Sequence, residues 1–479
     1  MSRYNWPEPV TDSPLLPRTL ALATRFLETV GDRPVKARAS LEELRAALGG
    51  PLPDKGIDPV QVVEDLALGV ERGLVATAGP RYFGFVIGGS LPAALAADCL
   101  TSAWDQNAGL YATSPAAAVV EEAAAAWLRD LFGLPSSVGA GFVTGCQMAN
   151  FTGLAAGRHA VLRKAGWDVE ERGLQGAPTV HVAIGEEAHV TILSSLRLLG
   201  LGAGSALRVK TDGQGRMVAE ELRRALATCD GPTIVCAQAG NVNTGAFDPL
   251  DEIATIARAH GAWLHVDGAF GLWAAASPSL REHVRGLERA DSWATDAHKW
   301  LNVPYDCGIV FVADAAAQRA AMGAQASYLV QSAGTERDPF EWVPEFSRRA
   351  RGFTVYAALR SLGRRGVREL VERCCRLASR MADRLRGTPG VRILNDVVLN
   401  QVLVRFEPPG DGDAGAFTKA VITRVQRDGT CWLGGTRWHD QDAMRVSVCN
   451  WSTTEADVDR SAEAILAAAR VEAEEGGTL

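Results

Sequence analysis

Between residues 80 and 315 the sequence alternates short runs rich in β-forming residues with stretches whose apolar residues recur at helical spacing. The β-rich runs fall at 141–145, 180–185, 233–240, 262–269, 291–300 and 307–314, and helical stretches occupy 147–164, 189–199 and 249–260. This alternation predicts an α/β fold, in which a mostly parallel sheet is covered by helices on both faces. Because ligands of such sheets gather at the carboxyl ends of the strands, we expect the functional residues there.

The segments on either side have different patterns. Residues 1–75 predict an N-terminal helical arm, since "PRTLALATRFLETV" and "LEELRAALGG" have apolar residues at helical spacing. Residues 76–350 are predicted to form a large domain, and 351–479 a linker helix and a small α+β domain. A capping box from Ser452 to Glu455 predicts the start of the last helix. The polar stretch 323–346 has little periodicity, and a loop of that length is typically functional or disordered.

Composition disfavours several classes of partner. The chain has 479 residues and a formal net charge of −7, without a basic block that would neutralise phosphates, so we expect neither nucleic acid nor membrane as partner. No apolar stretch approaches the ~18 residues of a membrane span, and the first residues lack a signal-peptide core, so a cytoplasmic location is expected. The nine cysteines form no CxxC pair, which favours free thiols. We expect no metal, because no second ligand cluster joins His265 and Asp267.

Polar residues that could bind a ligand or take part in catalysis lie where the predicted strands end. The amides that follow Gly145 open a predicted helix and would seat a phosphate, although a turn of this kind also serves packing. His189 lies at a strand-to-helix junction, where it either contacts a ligand or ends the helix. Asp267 ends an apolar strand and needs a partner there, either an arginine or a protonated ring nitrogen. Lys299 follows a strand in apolar surroundings, which would lower the pKa of its amine, unless the side chain reaches solvent.

These residues lie within an ordered set of motifs. The motifs are "RYFGFVIGG", "SPAAAVVEEAAAAWL", "TGCQMANFTGLAAGRHAVL", "EEAHVTILSSLRLLGLG", "HVDGAFG", "DSWATDAHKWLNVPYDCG" and "SYLV". In this order they resemble the group II amino-acid decarboxylases, fold-type I enzymes that use pyridoxal 5′-phosphate (PLP) and include aromatic, cysteine-sulfinate and glutamate decarboxylases. The resemblance implies a large PLP-binding domain with a mostly parallel seven-stranded-type sheet, a small C-terminal α+β domain and a homodimer with a shared active site. The implied reaction converts an L-amino acid to its amine and carbon dioxide.

The resemblance also implies roles for individual residues. Lys299 matches the lysine that forms the Schiff base with PLP, Asp267 the partner of the pyridine nitrogen, and His189 the histidine stacked on the ring. The other matches are Ala269 on the opposite ring face, Gly145, Cys146 and Gln147 in the phosphate loop, His298 near the phosphate or the aldimine, Asn241 or Asn243 beside the ring substituents, and Tyr328 on a mobile catalytic loop. Tyr328 is the expected proton donor to the substrate α-carbon. The substrate pocket is expected to draw on Phe85, Val86, Ile87 and Gly88 and on the segment Asn107 to Tyr111, part of it from a partner subunit.

Some positions depart from the family pattern. The phosphate loop has Gly-Cys-Gln where small residues with a serine or threonine are frequent. Asp296 stands where many relatives have asparagine, and a carboxylate near the phosphate is unfavourable unless it points elsewhere.

The reaction outcome and the substrate stay open. The same scaffold also supports oxidative deamination coupled to decarboxylation, β-elimination and transamination. Tyr328 favours simple decarboxylation, because aldehyde-forming relatives are expected to have phenylalanine there. A non-catalytic PLP sensor is disfavoured by the retained site residues. Arg348, Arg349 and Arg351 would either reach an acidic substrate or begin a solvated helix.

Overall fold

The computed structural model describes residues 14–324 and 336–476. The α-helices of this part are α1 (Leu15–Thr29), α2 (Leu41–Leu48), α3 (Pro59–Glu71), α4 (Pro92–Trp104), α5 (Pro115–Phe132), α6 (Cys146–Lys164), α7 (Val169–Arg172), α8 (Val190–Leu198), α9 (Ala219–Leu226), α10 (Leu250–His260), α11 (Ala315–Met322), α12 (Gly352–Leu385), α13 (Ala414–Asp428) and α14 (Glu455–Gly476). The strands are β1 (Gly139–Val143), β2 (His181–Gly185), β3 (Leu207–Val209), β4 (Thr233–Gln238), β5 (Trp263–Asp267), β6 (Ser292–Asp296), β7 (Gly308–Val312), β8 (Val391–Ile393), β9 (Gln401–Phe406), β10 (Gly434–Trp438) and β11 (Gln441–Ser447).

The central sheet has seven strands in the order β1-β7-β6-β5-β4-β2-β3. Strand β7 runs antiparallel to both of its neighbours, whereas β6, β5, β4, β2 and β3 pair in parallel. The α/β fold with a mostly parallel sheet is therefore confirmed. The sequence did not predict β3, a strand of three residues, and β6 ends at Asp296 rather than continuing through the predicted run to residue 300.

Helices cover the sheet so closely that its middle strands are buried on both faces. Strands β1, β5, β6 and β7 are buried along their whole length, in agreement with the continuous apolar sequences of β1 and β7. Helix α6 packs against β5 and β6. A Cβ atom at Gly153 of α6 would lie 2.9 Å from the His265 ring, and one at Gly157 would lie 2.8 Å from the Trp263 ring. Glycine at these positions therefore lets the helix approach the sheet.

A second sheet of four antiparallel strands, in the order β10-β11-β9-β8, follows later in the chain. Helix α13 packs on this sheet and on α14, while α12 packs on α4, α5 and α14. Helix α12 is interrupted at Gly363, whose φ of 60° lies in the left-handed region that glycine tolerates. The first turn of α14 is capped by Thr454 and Asp457, which exchange hydrogen bonds, so the predicted capping box at Ser452 was displaced by two residues.

The first three helices contribute no buried residue to the fold. Several of their large apolar side chains are exposed, among them Leu16, Leu20, Leu27, Leu41, Leu48, Val62, Leu66 and Leu68. Within the described part of the chain, no helix combines the length and the apolar character that crossing a membrane requires.

Candidate active site

Three functional candidates meet at the carboxyl edge of the central sheet. Asp267 is the last residue of β5 and Asp296 the last residue of β6. Cys146 begins α6, three residues after β1 ends. Because β1, β5 and β6 run in the same direction, their ends lie side by side.

The amine of Lys299 lies next to a buried carboxylate. Its Nζ is 2.8 Å from Oδ2 of Asp296, whose side chain is only 2% exposed. Oδ1 of Asp296 accepts a 2.6 Å hydrogen bond from the Cys146 amide and lies 3.3 Å from Nε2 of His298. The carboxylate that departs from the family pattern therefore points into the predicted phosphate seat.

This contact corrects the expected protonation of Lys299. Burial, the largest single influence, lowers the pKa of the ammonium, but the nearby negative groups, Asp296 foremost, together outweigh burial and hold that pKa above its ordinary value. The sequence predicted a lowered pKa because the surroundings are apolar, and it did not reveal that Asp296 points toward the amine. The structure therefore presents Lys299 as an ammonium that must lose a proton before it acts as a nucleophile.

The Asp267 carboxylate is held by uncharged donors. It is 4% exposed and accepts hydrogen bonds from the Ala269 amide at 3.2 Å, from Nδ2 of Asn150 at 3.3 Å and from Sγ of Cys146 at 3.5 Å. Among the described residues no arginine pairs with it. Of the two partners considered for Asp267, a protonated ring nitrogen is therefore the one that the surroundings favour.

A buried chain of hydrogen bonds supports Asp267 from behind. Nε1 of Trp263 donates to Oγ of Ser292 at 2.9 Å, and this hydroxyl lies 2.8 Å from Nδ1 of His265. Nε2 of His265 lies 2.9 Å from Oδ1 of Asn150, whose Nδ2 donates to Asp267. The Asp267 carboxylate accepts from Nδ2 of Asn150, so Oδ1 of Asn150 must accept from Nε2 of His265. The neutral imidazole then accepts at Nδ1 from the Ser292 hydroxyl, and every bond runs from Trp263 towards the carboxylate.

Two further histidines lie at this edge. His189 caps α8, and its Nδ1 accepts a hydrogen bond from the Thr191 amide. Nδ1 of His298 accepts one from the Cys307 amide at 3.2 Å, and its ring stacks on Tyr305 with centroids 4.3 Å apart. Burial is the main cause that lowers the pKa of both imidazoles. Both rings are therefore neutral near pH 7, with the proton on Nε2.

The four-stranded sheet contributes residues to the same region. Oγ1 of Thr436 donates to Oδ1 of Asn243 at 2.9 Å, and Arg445 donates to the Val242 carbonyl at 3.1 Å. The positive charge of Arg445 acts on His189, where it helps to lower the pKa of the imidazole. Among the described residues no carboxylate forms an ion pair with Arg445, so its remaining donors are available to an anionic ligand. Oδ1 of Asn241 accepts the amides of residues 243 and 244 and shapes the turn between them.

The predicted pocket residues from 85 to 88 have different environments. The Phe85 ring is 59% exposed and stacks on Trp432, with centroids 5.8 Å apart. Trp432 also stacks on the buried Tyr82 ring, with centroids 5.1 Å apart, so Trp432 stacks with both rings and Phe85 is the exposed member of the three. Val86 is buried in the core and Ile87 is half-buried. Gly88 packs so tightly on the loop of Lys299 that a Cβ atom would lie 1.9 Å from the Lys299 carbonyl oxygen.

Other predicted residues lie apart from this cluster. The Gln147 side chain is exposed, and Ala269 is half-buried beside Asp267. The Tyr111 amide donates to Asp338, and Asn107 contacts the segment that leads into α12. Tyr328 lies outside the described residues.

The three arginines that would read an acidic substrate are each paired with a carboxylate. Arg348 and Glu121 form a buried ion pair of 2.8 Å, each side chain being 1% exposed. Arg349 pairs with Asp98 at 2.6 Å, and Arg351 pairs with Asp306 at 2.9 Å. They are therefore structural contacts in this chain.

The donor set at the edge fits PLP. The α6 terminus already hydrogen-bonds an anion, the Asp296 carboxylate, which shows that this position accepts negative charge. Lys299 offers an amine, Asp267 offers a buried carboxylate for the pyridine nitrogen, and His189 lies beside them. Within residues 14–324 and 336–476 there is no group of three or more side chains arranged to hold a metal ion.

Several of the residues in this region were not singled out as site residues from the sequence. They are Tyr82, Asn150, His265, Ser292, Tyr305, Trp432 and Arg445. His265 had a signal, because it lies between the apolar residues Leu264 and Val266 of β5, and Arg445 had a weaker one between Met444 and Val446 of β11. The others had none, since their roles depend on contacts between segments far apart in the chain.

Comparison with known proteins connects this geometry to a family. Residues 42–407 match the family model described as the pyridoxal-dependent decarboxylase conserved domain. The chain is 32% identical over 376 residues to the acidic amino acid decarboxylase GADL1 of Bos taurus, which covers 77% of this chain and 71% of that protein. It is 29% identical over 440 residues to human cysteine sulfinic acid decarboxylase, with 87% of each chain covered.

Solved structures show the same fold. Mouse CSAD superposes with a TM-score of 0.88 at 25% identity, over 96% of this chain and 99% of that one. Oryza sativa TDC, solved with PLP and tryptamine, superposes with a TM-score of 0.90 over 97% of this chain and 99% of that one. Its identity of 24% supports likeness of fold alone.

Proposed function

Because the chain belongs to the pyridoxal-dependent decarboxylase family, we propose that it removes the α-carboxylate of an L-amino acid at the site around Lys299. The chain is a PLP-dependent carboxy-lyase. The observation that carries the placement is the convergence of Lys299, Asp267, His189 and the α6 terminus at one sheet edge. When bound there, PLP supplies an electron sink for the pair released by the breaking carbon–carbon bond.

The chain's own residues orient and polarise this chemistry. Asp267 would stabilise a proton on the pyridine nitrogen, and the hydrogen bonds through Asn150 and His265 hold its carboxylate in place. His189, neutral and tied to the start of α8, limits the movement of the ring. The open amides of α6 hold the phosphate.

Arg445 and Lys299 are the two charged groups that we expect to act on the substrate. Arg445 binds the α-carboxylate, because it is a half-buried guanidinium that lacks an acidic partner among the described residues. Lys299 must lose a proton from Nζ to solvent before its amine can react with an aldehyde, and Asp296 would pair with the ammonium whenever the lysine is released. Tyr328, by resemblance, donates a proton to the α-carbon.

An aromatic or apolar side chain is the substrate class that the described geometry favours. The exposed Phe85 ring stacks on Trp432 and lies three residues before Gly88, which packs on the Lys299 carbonyl. An exposed aromatic ring of this kind can stack on the ring of a substrate. An acidic substrate would need a second cation in addition to Arg445, and the three nearby arginines are each paired.

A second candidate is an acidic amino acid. The relatives named acidic amino acid decarboxylase and cysteine sulfinic acid decarboxylase favour it. In that case a cation from a second subunit would have to complete the pocket.

An amino-acid panel separates these substrates. The holoenzyme is incubated with L-tryptophan, L-tyrosine, L-leucine, L-aspartate, L-glutamate and L-cysteine sulfinate, and carbon dioxide, amine, ammonia and peroxide are measured. We expect amine and carbon dioxide in equal amounts, with an aromatic or apolar substrate turned over fastest. Trp432→Leu should then raise KM by about 10-fold for an aromatic substrate, the scale of one lost aromatic contact. Turnover restricted to acidic substrates would refute the aromatic class, and ammonia with peroxide would refute simple decarboxylation.

The exposed apolar arm supports a homodimer. Helices α1 to α3 bury nothing within one chain, although α1 alone exposes Leu16, Leu20 and Leu27. Exposed apolar faces of this extent mark an interface, and a second copy would also cover Phe85 at the site. Sedimentation at micromolar concentration should show a dimer, and a fully active monomer would contradict the proposal.

The thiols support a cytoplasmic location. All nine cysteines are free, which is the state that a reducing compartment maintains. Fractionation of the source cells should place the activity with cytoplasmic markers, whereas secretion would contradict it.

A further inference from the structure

The Asp296 carboxylate binds a backbone amide that should hold the cofactor phosphate. It accepts the Cys146 amide at the start of α6, at 2.6 Å. The same carboxylate is 3.3 Å from His298 and 2.8 Å from Lys299. The donors that would attract a phosphate are therefore already engaged by a negative charge belonging to the protein.

The negative charge of Asp296 is weakly screened and held in a fixed position. The Asp296 side chain is 2% exposed, so solvent screens it little. Its position at the end of β6 and its hydrogen bond to Cys146 give it little room to turn away. A phosphate bound to the remaining open amides of α6 would meet a fixed like charge close by, which is unfavourable in a desolvated site.

We propose that Asp296 is a positioning residue that holds the Lys299 amine in place and thereby weakens the binding of the cofactor phosphate. The inference rests on the proposed location of the cofactor. On this account the same carboxylate orients the Lys299 amine and lowers the affinity of the protein for the phosphate of PLP. A neutral residue at position 296 would remove the repulsion and increase the contribution of the phosphate to cofactor binding.

The test compares ligands that differ only in the phosphate. Pyridoxamine 5′-phosphate and pyridoxamine carry no aldehyde, so their binding does not depend on a bond to Lys299. Their dissociation constants are measured by fluorescence on protein stripped of cofactor, and the ratio of the two isolates the phosphate contribution. In Asp296→Asn we expect this ratio to favour the phosphorylated ligand about 10- to 100-fold more than in the wild type, the scale of a relieved charge contact.

Two further variants complete the design. Asp296→Ser removes the charge with a smaller side chain and replaces the asparagine variant if that one does not fold; the same increase is expected. Asp306→Asn removes a neighbouring charge that pairs with Arg351 outside the seat and is 43% exposed. Its ratio should stay within about 2-fold of the wild type, because solvent screens it.

Clear outcomes would overturn the proposal. An unchanged or smaller ratio in both Asp296 variants refutes it, and an equal rise in Asp306→Asn refutes the specific role of the seat. Lys299→Ala tests the cofactor location separately. If that variant keeps the near-visible absorbance of the wild-type holoenzyme, the proposed site itself fails, whatever the ratio shows.

Discussion

His265 should make the folded protein sensitive to mild acid, and this prediction tests the buried chain behind Asp267. The side chain is fully buried between Ser292 and Asn150. Burial, opposed only in part by the Asp267 carboxylate, lowers the pKa of the imidazole from about 6.5 to about 4. In the unfolded chain the pKa of His265 returns to its ordinary value. Between the two pKa values the unfolded chain therefore binds a proton at His265 that the native protein does not bind.

The sign and size follow from linkage. Between pH 6.5 and pH 4 the unfolded state binds more protons than the native state, so stability falls as the pH falls through this window. For the two pKa values of His265 the loss between pH 7 and pH 5 amounts to about 2 kcal/mol. Other buried histidines act in the same direction, so the measurement must be a difference between variants.

The assay is urea unfolding of the wild type and His265→Gln at pH 7 and pH 5. Glutamine does not titrate, so the variant should lose about 2 kcal/mol less stability than the wild type between the two pH values, although it starts lower at pH 7. His181→Gln, at a half-exposed histidine that begins β2, should keep the wild-type difference. If the wild type and His265→Gln lost equal stability between pH 7 and pH 5, the proposed buried, neutral state of His265 in the hydrogen-bond chain would be refuted.

The remaining predictions concern catalysis and packing. Tyr328→Phe should lower amine formation by roughly 10²–10⁴, the scale of a lost general acid, and divert flux to aldehyde or transamination products; unchanged amine output would end that role. Arg445→Gln should lower kcat/KM by about 10- to 100-fold through substrate binding while PLP absorbance persists, and an unaltered KM would contradict it. Glu121→Gln should destabilise the protein by about 3 kcal/mol or more, because it leaves the Arg348 guanidinium buried without its counter-ion; a neutral effect in thermal unfolding would contradict this.

The sequence predicted the strand ends because their signals are local. An apolar run that stops at Asp267, or one followed by Lys299, can be recognised without knowing what lies opposite. The parallel arrangement then brings such ends together at one edge. This reasoning predicted the fold class, which the structure confirms, and the region of the proposed site.

Contacts between distant segments could not be predicted in this way. Arg445 reaches the site because the four-stranded sheet packs on the turn at Val242, some two hundred residues earlier in the chain. Trp432 joins Tyr82 for a similar reason. The raised pKa of Lys299 depends on which way the Asp296 side chain points, and a sequence motif does not specify that direction.

Reduction of the holoenzyme with sodium borohydride tests the central claim most directly. Borohydride fixes a lysine-linked cofactor to its residue, and mass spectrometry of the digested protein then identifies that residue. The structure predicts the phosphopyridoxyl group on the peptide that contains Lys299, with no label in Lys299→Ala. A label on any other lysine, or an undiminished label in the variant, would contradict it.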